Sequence, residues 1–411
     1  MSGELTRIKK VNHAVHPVRM KFALKTVLTA SNNQNKYEKM KTYKIIILGS
    51  VLIALSAQNL LAQTVNGKES RKVQVTFAYP VGSAGITSRN YINNFSFNIL
   101  YGLNGGVNGF ELGSLWNHND GDVKGFQLSG LVNSTVGNSL GFLISGVANW
   151  NKEAVSGAAI SGVLNLGHQS LSGFQLAGVS NIGSDSLKGI SVSGVLNYTN
   201  GNGKGFQLST INWAKDFEGV QIGVLNYAIR LKGVQLGVIN IIKEGEDALP
   251  IGLLSFVKNG HYELDLTAGE AIYSNLNFKM GVKRLYTIFK LGYSSYQGMP
   301  VYSYGGGFGT SLFLSEKHCL NLELSSNQIY IDNDWDSQPN GLNKLDLNYK
   351  FAVLDKLSLL IGPSFNVYVT SKKINGEYGT INIPYTLYEH EYADKKLFMW
   401  FGLNVGVSLK L

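Results

Sequence analysis

The chain has 411 residues, 44% of them apolar and only 15% charged, with a formal net charge of +9 and one cysteine, Cys319. A lone cysteine excludes an intrachain disulfide framework, and its distance from any leader cleavage site argues against a lipid anchor. The basic excess does not signal a nucleic-acid partner: ten Lys/Arg against Glu4 and Glu38 between Met1 and Lys44 place +8 of the +9 in one terminal stretch, and the remainder is near neutral.

Residues 1–39 form a basic extension with no fold pattern, read as lying upstream of the natural start at Met40. From Met40 the order M-K-T-Y-K, apolar run Ile45 to Ala57, then Q-N-L-L-A-Q matches a secretory signal over 40–63, with cleavage near Ala62 or Gln63. The next strand signals are K-V-Q-V-T-F-A-Y-P (72–80) and I-N-N-F-S-F-N-I-L-Y (92–101), within an N-terminal β region of 70–104. They are expected to join an antiparallel sheet or barrel with the C-terminal region.

Residues 105–256 are a tandem repeat. Gly109, Gly125, Gly141, Gly157, Gly173, Gly189 and Gly205 recur every 16 residues, Gly219 and Gly233 open shorter units, and a degraded unit starts at Ala248. Each phrase resembles G-F-Q-L-S-G-L-V-N (125–133) and closes on Asn117, Asn133, Asn149, Asn165, Asn181 or Asn197. Apolar residues at the first and third positions after glycine give a period of two, which is a strand, and the Gln between them (127, 175, 207, 221, 235) is expected on the wetter face. Repeated Gly and Asn oppose a helix.

The 14–16-residue β repeats fit two architectures. One is a β-solenoid, with coils stacked parallel and in register at about 4.8 Å, so that Asn stacks on Asn and nine coils span about 43 Å. The other makes each repeat one strand of a single barrel of about 20 strands. Identical turns on up and down strands disfavour the second.

Residues 257–411 carry eight or nine strands rich in Tyr and Phe and read as an antiparallel β-barrel or sheet, so the fold class is all-β. In the last strand Met399, Phe401, Leu403, Val405, Val407, Leu409 and Leu411 share one face, and Trp400, Gly402, Asn404, Gly406, Ser408 and Lys410 share the other. Thirteen alternating residues are long for a soluble edge strand. On a lipid-facing strand, Val405→Arg is expected to cost about 2–4 kcal/mol and Asn404→Arg to be tolerated.

This terminal strand resembles the closing strand of bacterial outer-membrane barrels, although it ends on Leu411 rather than an aromatic residue. The phrases G-F-Q-L-A-G-V-S-N (173–181) and G-V-Q-L-G-V-I-N (233–240) resemble a bacterial family of surface-repeat proteins, over roughly residues 107–256. That resemblance implies location and architecture and no chemistry.

Candidate sites are few. Asp332, Asp334 and Asp336 alternate as in a calcium loop, but Ser337 stands at the sixth position and Asn343 at the twelfth, so a solvated loop is expected. His118, His168, His261, His318 and His390 have no zinc spacing, and His390 between Glu389 and Glu391 reads as surface charge. Y-G-G-G-F-G-T (304–310) precedes no helix and cannot cradle phosphate; its glycines suit aromatic packing in a barrel. Tyr302, Tyr304, Tyr385, Tyr388, Tyr392 and Trp400 are candidates for an interfacial girdle, or for the core of a soluble sandwich. No catalytic, cofactor or metal residues are assigned. The expectation is a non-enzymatic, exported outer-membrane or cell-surface repeat protein with a structural, adhesive or binding role, in contact with outer-membrane lipid; the alternative is a barrel channel or transport protein.

Overall fold

The computed structural model describes residues 63–411 apart from 66, 184, 246 and 333–337. The leader 40–63 thus lies outside the described residues except for Gln63, as do the extension before it and the acidic run from Asp334 to Asp336. No helix among the described residues is long and apolar enough to cross a membrane. The fold is almost all β: a parallel solenoid of about ten turns, followed by a closed, eight-stranded antiparallel barrel.

The repeats are solenoid coils. One coil runs through strand Val123–Ser129, a corner at 130–131, strand Val132–Thr135 and a polar return. Its residues pair with those one coil on, Gly125 with Gly141 and Asn133 with Asn149. This rules out repeat strands in one large barrel. A fixed period is required because each side chain must meet its counterpart, and a one-residue slip would exchange the two faces. The glycine of each phrase is equally constrained: Gly141 has φ 132°, and a Cβ there would lie 2.0 Å from the carbonyl oxygen of Gly125. From Gly205 to Gly233 the coil shortens to fourteen residues, one residue being lost at the corner before Ile211 and one at the register shift between Thr199 and Asn202.

Two expectations are corrected here. The segments Lys68–Ala78 and Tyr91–Asn104 do not join the C-terminal sheet; they pair parallel, Val73 with Phe95 and Phe95 with Phe110, and form the first layers of the stack. The wetter face assigned to Gln is also reversed: Gln127, Gln207, Gln221 and Gln235 are fully buried, while Phe110, Leu128, Leu131 and Phe142 are exposed. The cause is hydrogen bonding along the stack: Gln235 donates to Gln221 at 2.8 Å and Gln221 to Gln207 at 2.7 Å, so inward amides are satisfied from coil to coil, and alternation turns the residues on either side of them outward. The bore also takes apolar side chains, Leu143 at a Gln position and Leu171, Leu187 and Phe217 at the position of Val123.

The barrel strands are β1 (His261–Ala268), β2 (Ser274–Val282), β3 (Leu285–Tyr296), β4 (Met299–Phe313), β5 (His318–Ile331), β6 (Asn340–Ala352), β7 (Leu357–Thr370) and β8 (Lys396–Lys410). Each pairs with the next, and β8 closes on β1 through Leu264 with Leu409 and Asp265 with Ser408. The polarity is inverted relative to a soluble sandwich, which removes that reading. Leu266, Leu291, Leu324, Leu345 and Ile361 are exposed on the outer wall, whereas Asp265, Lys279, Asn321, Asp346 and Asn366 are buried inside. The terminal strand follows the predicted alternation, with Phe401, Leu403, Val405, Val407 and Leu409 outside and Trp400, Asn404 and Ser408 inside. Trp400 therefore leaves the girdle, while Tyr302, Tyr304, Tyr385, Tyr388 and Tyr392 remain exposed.

Candidate functional site

The barrel interior contains two layers, built by the inward residues of all eight strands. Near the end where β1 begins, Lys279 from β2 lies 2.6 Å from Asp265 and also pairs with Glu323, which accepts a 2.8 Å hydrogen bond from Tyr286. Lys350 pairs with Glu263, and both Lys290 and Lys344 stand 3.6 Å from Asp346. Four lysines face four carboxylates, so the layer is neutral overall, and a buried network of this kind holds only while every charge keeps its partner. Gly309, from the glycine-rich run, sits opposite Tyr286, whose ring occupies the place a Cβ would take, 2.5 Å away. That is the packing role expected for it.

At the opposite end Val301, Ile329, Ile331, Leu342, Tyr368 and Trp400 form an apolar layer, joined by Ile381 from the segment that connects β7 to β8. Tyr368 donates to Asn340 at 2.5 Å and receives the Thr380 amide at 3.1 Å, which ties that segment into the mouth. The Trp400 indole donates to Glu270 at 2.9 Å. An eight-stranded barrel is just wide enough for side chains to fill, and here they fill it.

A different polar system runs through the solenoid. The Asn98 side-chain amide donates to Asn117, Asn117 to Asn133, and so on through Asn149, Asn165, Asn181, Asn197, Asn212 and Asn226 to Asn240, at 2.9–3.0 Å throughout. From Asn117 onward each also donates to a carbonyl of the neighbouring coil, as Asn165 does to Leu176 at 2.9 Å. At the N-terminal end, Glu111 takes the place that Gln holds in later coils. Its carboxylate accepts from Asn98, Asn104, Asn119 and Gln127 at 2.6–2.9 Å. Burial pushes its pKa up to about 7, against the pull of those four amides.

The five histidines considered as metal ligands are dispersed. His118 contacts Ser134 and Asp120 on the solenoid, His168 lies near Trp150, His261 is inside the barrel 3.5 Å from Glu263, His318 meets Tyr349, and His390 is exposed. No group of three or more potential metal ligands occurs among the described residues. Asp332 lies at the end of β5, where its amide donates to Pro300. The lumen charges escaped sequence reading, although a signal exists: single acids and lysines stand at alternate positions in otherwise apolar strands, as in E-L-D (263–265) and K-L-D (344–346). Comparison with known proteins gives no match to a family model, a curated protein or a solved structure.

Proposed function

We propose that the protein is a non-enzymatic outer-membrane protein, anchored in lipid by the C-terminal barrel and carrying the repeat solenoid as a structural or binding module. The observation that carries this reading is the barrel's polarity: charged and amide side chains inside, Leu, Val, Phe and Tyr outside. Strand closure lets the backbone of the wall pair with itself and leaves no open sheet edge, and a polar filling with an apolar wall is stable only where the wall meets hydrocarbon. The leader-like segment at 40–63 and the alternating terminal strand support the same location.

The turns support an orientation. One end carries only short connections, 283–284, 314–317 and 353–356, together with the start of β1 and the terminus Leu411; the other carries 269–273 and the tight turn 297–298 but also the longer 332–339 and 371–395. Barrels of this kind keep short turns on the periplasmic side, so the solenoid, which enters β1 directly, belongs there rather than on the outer surface. A conducting channel is the less favoured reading because salt bridges and the apolar mouth layer occupy the bore. Fractionation tests the proposal. Detergent-dependent extraction from outer membranes, with gel mobility that changes on heating, is the expected result; recovery in the soluble periplasmic fraction without detergent refutes it.

A further inference from the structure

The outer surface of the solenoid is apolar to a degree that a water-filled surrounding does not explain. The corner between its two strands forms a ridge of Leu131, Val147, Val163, Val179, Val195 and Val224, each 37–52% exposed. Flanking it, one side presents Phe110, Phe126, Phe142, Phe174 and Phe206, and the other includes Trp150 and the stacked rings of Tyr198, Trp213 and Tyr227. From the glycine of each phrase to the second residue after its closing Asn, no Lys, Arg, Asp or Glu points outward between Phe110 and Phe256; Lys124, Lys188, Lys204, Glu218 and Lys232 stand just before the glycine, on the border with the charged side. About ten coils at 4.8 Å and nine residues of strand per coil make roughly 1,400 Å² of apolar surface. The largest patch on an ordinary soluble monomer is roughly 300–600 Å². The other charges are confined to the third side, with Lys152 and Asp216 among them.

The junction with the barrel fixes which way these surfaces face. Thr287 in β3 donates to the carbonyl oxygen of Gly252, on the free edge of the last coil, at 2.7 Å. Edge carbonyls point along the stacking direction, so the stack axis runs into the barrel wall. Thr287 and Met280 are outward residues of β3 and β2, yet both are buried, and Val282 packs against the solenoid core residues. The rod therefore leaves the barrel sideways, at the short-turn end. Its charged side shares an open cleft of ≈ 1420 Å³ with Lys283 and Arg284 of the β2–β3 turn. The charged side thus faces the short-turn end, and the ridge faces the zone of the barrel's apolar wall.

We infer that the repeat solenoid lies in the membrane interface as an amphipathic rod, its ridge and two apolar sides immersed in the leaflet beside the barrel and its charged side in water. The occupant of the apolar surface is lipid hydrocarbon, continuous with the lipid around the barrel, and this rests on the membrane reading of the barrel. Amphipathic helices bind bilayers by the same division of surfaces. A β-coil achieves it because its amides bond along the stack and leave only the two end edges unpaired, of which the barrel covers one.

Site-directed spin labelling of the full chain in outer-membrane-lipid vesicles tests this, in a Cys319→Ser background. Labels are placed at Val163→Cys on the ridge, Asn138→Cys on the polar side and Leu324→Cys on the barrel wall, with Val195→Cys as a second ridge position. Heat-modifiable mobility verifies folding of each. The expected result is that ridge and wall labels collide with oxygen and lose collision with a water-soluble nickel reagent, while Asn138 shows the reverse. Nickel access at both ridge positions with a lipid-exposed Leu324 overturns the inference and leaves the barrel reading standing. Shielding of the ridge from both reagents, with short label-to-label distances between copies, overturns it in favour of a second chain. Nickel access at Leu324 removes both readings.

Discussion

Asn165→Ala cuts the solenoid's internal ladder at its middle. The Asn165 amide donates to Asn181 and to Leu176 at 2.9 Å each, and its oxygen accepts from Asn149 at 2.9 Å. With a 3.1 Å bond to the Ala159 carbonyl there are four buried bonds; at about 1 kcal/mol net each, with the Leu176 carbonyl, the Asn181 oxygen and an Asn149 proton left unmet, the loss is about 3–5 kcal/mol. Hydrogen exchange read by mass spectrometry is the suitable assay, because it resolves the coils from the barrel. Backbone amides of coils 139–197 should exchange about 150- to 5,000-fold faster, with the barrel strands unchanged. Val163→Ala, two residues away but on the outward ridge, is the control and should alter exchange little. Equal effects of the two substitutions would refute the claim that the buried amide ladder contributes more to holding the stack together than the outward ridge does. Asn165→Asp should be worse than Ala at neutral pH, since it removes both donors and buries a charge, and should recover in acid.

Glu111 makes the first coils pH-sensitive. Its pKa is about 7 folded against 4.5 ordinarily, so between these values the folded chain keeps a proton that the unfolded chain has released, and stability falls as pH rises across that window by roughly 3 kcal/mol. Exchange of residues 91–135 at pH 5 and pH 8 measures it, and Glu111→Gln should flatten the difference. Lys279→Met strips Asp265 and Glu323 of their shared cation; a loss of about 3–5 kcal/mol should lower the temperature at which gel mobility shifts, with partial recovery on adding Glu323→Gln. Val405→Arg should cost about 2–4 kcal/mol near mid-membrane and block assembly, measured as yield in the outer-membrane fraction. Asn404→Arg is not the tolerated control that alternation alone suggests: Asn404 donates to Asp346 and accepts from Lys344 in a filled bore, so it should also fail, whereas Asn404→Ser should assemble.

Much of the architecture was legible in the residues because it depends on periodicity. The unbroken 16-residue spacing from Gly109 to Gly205 fits identical coils in register and disfavours barrel strands, with the parallel pairing of neighbouring repeats deciding between the two, and the alternation from Met399 to Leu411 separates the two faces of the closing strand without any partner. Periodicity does not say which face is inside. Gln127 and Phe126 exchange places relative to the usual expectation because stacked coils let inward amides bond to one another, as Gln221 does to Gln207, and that stacking is a property of the closed coil rather than of a single strand. Likewise Lys279, Glu323 and Asp265 lie on three strands, and only barrel closure brings them within reach of one another. The placement of 70–104 at the head of the stack was also decided in three dimensions: Val73 pairs with Phe95 through backbone hydrogen bonds, which any alternating strand can make, so the choice of partner lay in the open edge of the stack and not in the strand's own sequence.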